Sequence, residues 1–216
     1  MVHILSNSKS IANQFLAELR NINVQNDRMR FRRNLERLGE IFAYEISKTL
    51  DYTETSVETP LGTAEMQLSN DHVVLATILR AGLPLHQGLL NYFDKASNAF
   101  ISAYRQHHKD GTFEINLSYV SCPDLTGKTL ILVDPMLATG ASMDIALKEL
   151  YKLGKPKKVH VVTAVAASAG FNYVKRLHPN AEIWMGALDE ELTAKSYIVP
   201  GLGDAGDLAF GGKMQE

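Results

Sequence analysis

Residues 129–150, "TLILVDPMLATGASMDIALKEL", change character twice within one short span. An apolar run, Thr129 to Val133, has the length and composition of a buried strand. It stops on Asp134 and breaks into Pro, Gly and small hydroxyl residues. A helical pattern then runs from about 141 to 153. Strand, loop and helix in immediate succession are the unit from which parallel, helix-covered sheets are built.

Working outward, the same rhythm recurs. "VVLATIL" (73–79), "AFISAY" (99–104), "FEINLSYV" (113–120), "KVHVVTAVA" (158–166) and "AEIWMGAL" (181–188) read as further strands. Helices are expected over about 83–93 and 169–178. Toward the amino end, Phe31, Leu35, Leu38, Ile41, Phe42 and Ile46 recur at three- and four-residue spacing, which predicts an amphipathic helix over 27–50. A shorter helix is expected over 10–20. The segments 53–60 and 63–68 flank "PLG" and predict a hairpin. The fold class is therefore α/β, a mainly parallel sheet flanked by helices, in one domain over 1–216, with the amino-terminal helix and hairpin as elaborations.

Composition narrows the function. The chain has 216 residues, 45% of them hydrophobic, and a formal net charge of -2. That charge supplies no long-range field to draw in nucleic acid or an acidic membrane surface. Arginines 28, 30, 32, 33 and 37 fall mostly between the apolar positions of the long helix, as a solvated or subunit-facing surface would have them. Cys122 is the sole cysteine, which excludes an intrachain disulfide and a cysteine zinc cluster and suits a reducing compartment. No run approaches the roughly eighteen apolar residues of a membrane span, and the first ten residues do not resemble a secretory leader. A cytoplasmic protein with a small-molecule partner is expected.

In open parallel sheets ligands bind beyond the carboxyl ends of the strands. Thr139, Gly140, Ala141 and Ser142 stand where a helix opens, and unpaired N–H groups with a favourable dipole attract an anion there. Gly140 permits close approach, and the two hydroxyls can donate to phosphate oxygens. On "TGAS" alone a simple helix cap explains these residues equally well. Asp134, a carboxylate at the mouth of a buried strand just before the anion nest, favours a ribose 5-phosphate site.

The apolar run, the acid and "ATGAS" resemble the phosphoribosyl-diphosphate motif of type I phosphoribosyltransferases. Together, "ILRAGL" (78–83), "YR" (104–105), "VDPMLATGAS" (133–142) and "YIVPGLGDAGD" (197–207) are similar, in matching order over most of the chain, to the uracil-specific family of that group. Pro135 stands where many relatives outside that family carry a second acid. The resemblance implies Arg80 and Arg105 on the diphosphate. It implies Asp134, Pro135, Met136, Leu137, Ala138, Thr139, Gly140, Ala141 and Ser142 around the ribose phosphate. Ile198, Gly203, Asp204 and Ala205 would surround uracil in a carboxyl-terminal hood, with Asp204 also near phosphoribosyl diphosphate. Asp134, Arg105 and Asp204 would carry catalysis. Mg²⁺ would be bound mainly through the substrate's diphosphate, with no protein metal site. Subunit association as a dimer or tetramer and a GTP effector are further implications.

Uracil presents alternating donors and acceptors along one edge, and a glycine-rich backbone can read them with its own C=O and N–H groups. Cytosine would mismatch at its exocyclic position. The segment "RQHHKDGTFE" (105–114) is charged and lacks apolar periodicity, so it reads either as a closing loop over the diphosphate or as an ordinary hairpin loop. Three other motifs fail on context. "GLGDAG" (201–206) fits a dinucleotide fingerprint, but too few residues follow for the helix, strand and ribose anchor it requires. "GKT" (127–129) precedes a strand instead of opening a helix. His107 and His108 lack the spacing and partners of a zinc site. A nucleotide-sensing RNA regulator on this fold and a transferase for purines or orotate are the rival readings.

Overall fold

The computed structural model describes the backbone of residues 1–107 and 113–212 and the side chains of residues 1–102 and 118–212. In chain order the strands are β1 (Val2–Ile4), β2 (Tyr52–Thr59), β3 (Gly62–Ser69), β4 (Val73–Leu79), β5 (Ser97–His107) and β6 (Phe113–Ser121). They continue as β7 (Thr129–Val133), β8 (Met136–Leu137), β9 (Lys158–Ala167), β10 (Glu182–Asp189), β11 (Glu191–Leu192) and β12 (Ile198–Val199). The helices are α1 (Ala12–Arg20), α2 (Arg28–Ser47), α3 (Leu83–Leu90), α4 (Ala141–Tyr151), α5 (Ser168–Leu177) and α6 (Ala205–Phe210).

The central sheet runs β1-β10-β9-β7-β4-β5-β6, and β8 also pairs with β9. Every pairing in it is parallel except β5 with β6. Side-chain alternation divides the strands between two cores, as a strand's period of two requires. Leu75, Ile131, Val133 and Val162 face α1, α2 and α3. Val74, Ala76, Leu130, Leu132 and Val161 face α4 and α5. Each fully buried Leu, Ile or Phe contributes about 1.5–3 kcal/mol, so both faces are strongly specified. The α/β class and the mainly parallel sheet agree with the sequence. Among the described residues no helix is long and apolar enough to cross a membrane.

Three local expectations change. The long helix spans 28–47 instead of 27–50, because Asp27 is its cap, accepting from the Arg30 N–H at 3.0 Å. The helix expected over 83–93 ends at Leu90. Residues 105–107, beyond the end of the strand expected over 99–104, are paired strand: Arg105 lies opposite Ile115 and His107 opposite Phe113. The tip of that hairpin lies outside the described residues, and with it the question of a closing loop. Periodicity does not announce β1, β8, β11, β12 or α6, each too short for a pattern to show.

The arginines of α2 divide as well. Arg30 and Arg33 are exposed and pair with Glu18 and Glu36 at 2.8 and 2.7 Å. Arg32 and Arg37 are half-buried and turn inward, Arg32 donating to the Ala209 carbonyl at 2.7 Å and Arg37 to Asn34 Oδ1 at 3.1 Å. Much of this charge therefore ties the chain to itself. The hairpin β2–β3 forms a separate two-stranded sheet.

Candidate active site

Asp134 follows β7 directly. Its N–H donates to the Val162 carbonyl at 3.1 Å, and its Oδ1 accepts from the Met136 N–H at 3.4 Å. The Pro135 carbonyl accepts from both Ala164 and Val165, at 3.1 and 3.0 Å. Strand pairing resumes at once, Met136 against Val165, in the register that Val133 keeps with Val162. Asp134 and Pro135 are thus a two-residue interruption in one line of strand. Ala138, Thr139 and Gly140 then turn into α4.

Gly140 is the N-cap of α4, at φ 85°, and no side chain caps the helix through it. Thr139 Oγ1 accepts from the Ala141 N–H only at a long 3.4 Å. The first turn therefore keeps main-chain donors facing the carboxyl edge of the sheet, which favours the anion nest over a simple cap. Helix α5 presses on this loop from behind. A Cβ on Gly170 would lie 2.4 Å from the Ala138 carbonyl oxygen, and one on Gly140 would lie 2.9 Å from the Gly170 carbonyl oxygen. No motif announces Gly170, because its role is a contact.

Arg80 follows β4, the parallel neighbour of β7. It is exposed, donates to the Gly211 carbonyl at 3.2 Å and stands 3.7 Å from Asp207 Oδ1. That oxygen is closed off from solvent and has no hydrogen-bond partner among the described residues. Arg105 lies on β5, with its side chain outside the described residues. Among the described residues no group of three or more His, Cys, Asp or Glu gathers to hold a metal.

The carboxyl-terminal segment begins at Asp189, the end of β10. The short pair β11–β12 sets Leu192 against Ile198. Ile198 and Ala205 are 4% and 3% exposed, so their side chains belong to the core. Gly203 is exposed, at φ 92°, and the nearest atom to the place a Cβ would take is Leu208 Cδ1, at 3.8 Å. Asp204 caps α6, its Oδ1 accepting from the Asp207 N–H at 3.0 Å. A Cβ on Gly206 would lie 3.9 Å from the Ala81 Cβ.

These contacts give the segment a path. It leaves β10, and by Gly206 and Asp207 it has reached the residues after β4. In the sheet, β9 and β7 lie between those two strands. The segment therefore arches from the carboxyl end of β10 to that of β4, along the edge of the sheet at which the loop 134–140 follows β7. Arg32, donating to Ala209, fastens its far end to α2. Residues far apart in sequence, Arg80, Asp134, Thr139 to Ser142 and Gly203 to Ala205, come together at one edge of the sheet.

The sequence profile of the uracil phosphoribosyltransferase family matches residues 6–212. A uracil phosphoribosyltransferase of Porphyromonas gingivalis is 52% identical over 206 residues, 95% of each chain. One of Thermococcus gammatolerans is 42% identical over 205 residues, 94% of this chain and 90% of that one. Among solved structures, the AQ2163 protein of Aquifex aeolicus superposes with a TM-score of 0.87 at 33% identity and covers 98% of both chains. The arch along the carboxyl edge of the sheet agrees with the similarity across nearly the whole length, which leads to one assignment: the chain belongs to the uracil phosphoribosyltransferase family.

Proposed function

We propose that this protein transfers the 5-phosphoribosyl group from phosphoribosyl diphosphate to uracil, giving UMP and diphosphate. The observation that carries the reading is the arch: a segment with bare main chain at Gly203 runs along the sheet edge that holds the loop whose helix terminus suits a phosphate. In the reaction the bond from the anomeric carbon to diphosphate breaks, a bond from that carbon to a ring nitrogen of uracil forms, and the proton of that nitrogen leaves to the solvent or to the departing diphosphate. The transition state has oxocarbenium character, and Asp134 faces the ribose and the developing cation with a negative charge. Main-chain N–H groups of Ala141 and Ser142, with the hydroxyls of Thr139 and Ser142, bind the 5-phosphate. Arg80 and Arg105 take the diphosphate. The peptide groups from Gly203 to Ala205 read the uracil edge, and Asp204 lies between the two substrates.

Mg²⁺ enters with the diphosphate in this reading. The oxygen of Asp207 beside Arg80, which lacks a hydrogen-bond partner among the described residues, suits a cation held mainly by substrate oxygens. When bound, the ion neutralises charge building on the leaving group. The proposal extends to a cytoplasmic homo-oligomer, dimer or tetramer, and to GTP as an effector, both on the strength of the family.

UMP formation from uracil, measured with and without Mg²⁺ and GTP and beside hypoxanthine, guanine and orotate, tests the reading. Turnover confined to uracil is expected, and equal or faster use of another base defeats it. Asp134→Asn should lower kcat by two or more powers of ten, about 3 kcal/mol or more of transition-state stabilisation, while leaving the melting temperature near that of the parent.

A further inference from the structure

Arg20 ends α1, at the far end of the sequence from the arch, yet it reaches into the arch's root. Its Nη1 and Nη2 donate to Asp189 Oδ2 and Oδ1 at 2.7 and 2.8 Å, a bidentate pair. The same Nη1 donates to the Gly201 carbonyl at 3.0 Å. Asp189 Oδ2 in turn accepts from the Gly201 N–H at 2.9 Å. Both main-chain groups of Gly201 are thereby committed to one ion pair. The Asp189 side chain is 8% exposed and that of Arg20 23%, so water competes little for these bonds.

Gly201 is a pivot. Its φ is 58°, and a Cβ there would lie 2.1 Å from the Ile198 carbonyl oxygen, so the chain turns sharply at this point. Holding the Gly201 carbonyl fixes the plane of the peptide between residues 201 and 202, and with it the direction in which residues 203–205 leave the turn. The phosphate loop is held by other means, through α5 at Gly170 and Gly140.

We propose that Arg20 and Asp189 are positioning residues for the base. Their ion pair touches no substrate and acts by orienting the peptide groups that read uracil. The inference rests on the uracil reading of the arch. Its signature is a split: base affinity depends on the pair, whereas phosphoribosyl diphosphate affinity does not. Arginine is required because the planar fork serves Asp189 twice and Gly201 once, which a lysine ammonium on a flexible stem does not reproduce.

The test uses Arg20→Lys, Arg20→Ala and Asp189→Asn, with phosphoribosyl diphosphate binding titrated without base and steady-state kinetics run against both substrates. Each variant is expected to raise the KM for uracil on the order of tenfold, as loss of charge-assisted hydrogen bonds does for an affinity, with the KM for phosphoribosyl diphosphate within about twofold of the parent. Arg20→Lys should recover most of the thermal stability lost in Arg20→Ala without recovering the uracil KM. A purely structural pair would lower stability and active fraction together and leave both KM values unchanged, and that result overturns the proposal. So does full kinetic recovery in Arg20→Lys. If the parent enzyme uses a different base and these variants raise that base's KM selectively, the uracil reading falls and the clamp stands. If Arg20→Ala does not fold, the milder Arg20→Lys and Asp189→Asn decide.

Discussion

At Gly203 the structure separates two explanations that the sequence leaves merged. A larger side chain there meets open space, so crowding is not the obstacle. The backbone angle is, since φ 92° is a conformation that L-residues with a Cβ adopt at a cost of about 1–2 kcal/mol. Gly203→Val should therefore bend the base-reading segment away and lower UMP formation, while phosphoribosyl diphosphate binding, titrated alone, stays near normal. Gly170→Ala reverses the pattern. Its methyl would strike the Ala138 carbonyl and push the phosphate loop, raising the KM for phosphoribosyl diphosphate with little effect on that for uracil. The proposed site residues that the sequence offers, Asp134, Gly140, Ser142, Arg80 and Gly203, stand in contiguous motifs whose chemistry is local. Gly170, Asp207, Arg20 and Asp189 are not legible there. Arg20 and Asp189 are 169 positions apart, and nothing in either neighbourhood announces the other.

Among the elements, α1 matters because Arg20 ends it, and Glu18 adds polar ties to α2 beside the apolar packing of Leu16 and Leu19. Its carboxylate accepts from Arg30 at 2.8 Å on both oxygens and from Asn34 at 2.7 Å. The Arg30 bonds are the largest cause, ahead of those from Asn34 and Gln14, that hold the Glu18 carboxyl down at about 2 against an ordinary 4.5. A depressed carboxylate stabilises the fold above its ordinary value and loses that contribution as pH falls through the lowered one. Glu18→Gln should thus reduce the melting temperature at neutral pH, and the gap to the parent should close as pH falls from 4.5 toward 2. Melting curves across that range check it. An unchanged gap at the acid end would detach Glu18 from this role. The long elements are legible from periodicity. The arch is legible only as a glycine-rich segment, since the two-residue strands β11 and β12 and the six-residue α6 exist through tertiary pairing.

Over the whole molecule, strand order is the part the sequence withholds. Alternation announces parallel strands, but not that β4 and β7 are neighbours, and that adjacency is what brings Arg80 to the same edge as the loop that follows β7. The hairpin β2–β3 has a consequence at the same scale. Pairing of Thr53 with Leu68, Thr55 with Met66 and Val57 with Ala64 collects its apolar side chains on one face. Val57, Met66 and Leu68 are exposed there, and Leu61 stands fully exposed at the turn. A two-stranded hairpin is marginal by itself in water, so this face supports the proposed self-association. A groove of about 810 Å³ at its base, lined in part by Tyr52, Leu68, Tyr92 and Phe93, continues the surface. Val57→Asp with Met66→Glu should shift the protein toward a smaller species in analytical ultracentrifugation, and an unchanged distribution would place subunit contacts elsewhere.

The shared register of β7 and β8 on β9 also sets what kind of change the site can survive. Because the pairing resumes in step, Asp134 and Pro135 occupy a gap of fixed length between two anchored stretches of one strand. Substitutions within that gap alter chemistry and leave the frame intact. A single inserted or deleted residue would instead swap Met136 and Leu137 between the two faces of the sheet and displace the phosphate loop by about 3.3 Å, one strand residue. Variation at this point should accordingly appear as changes of letter and never as gaps.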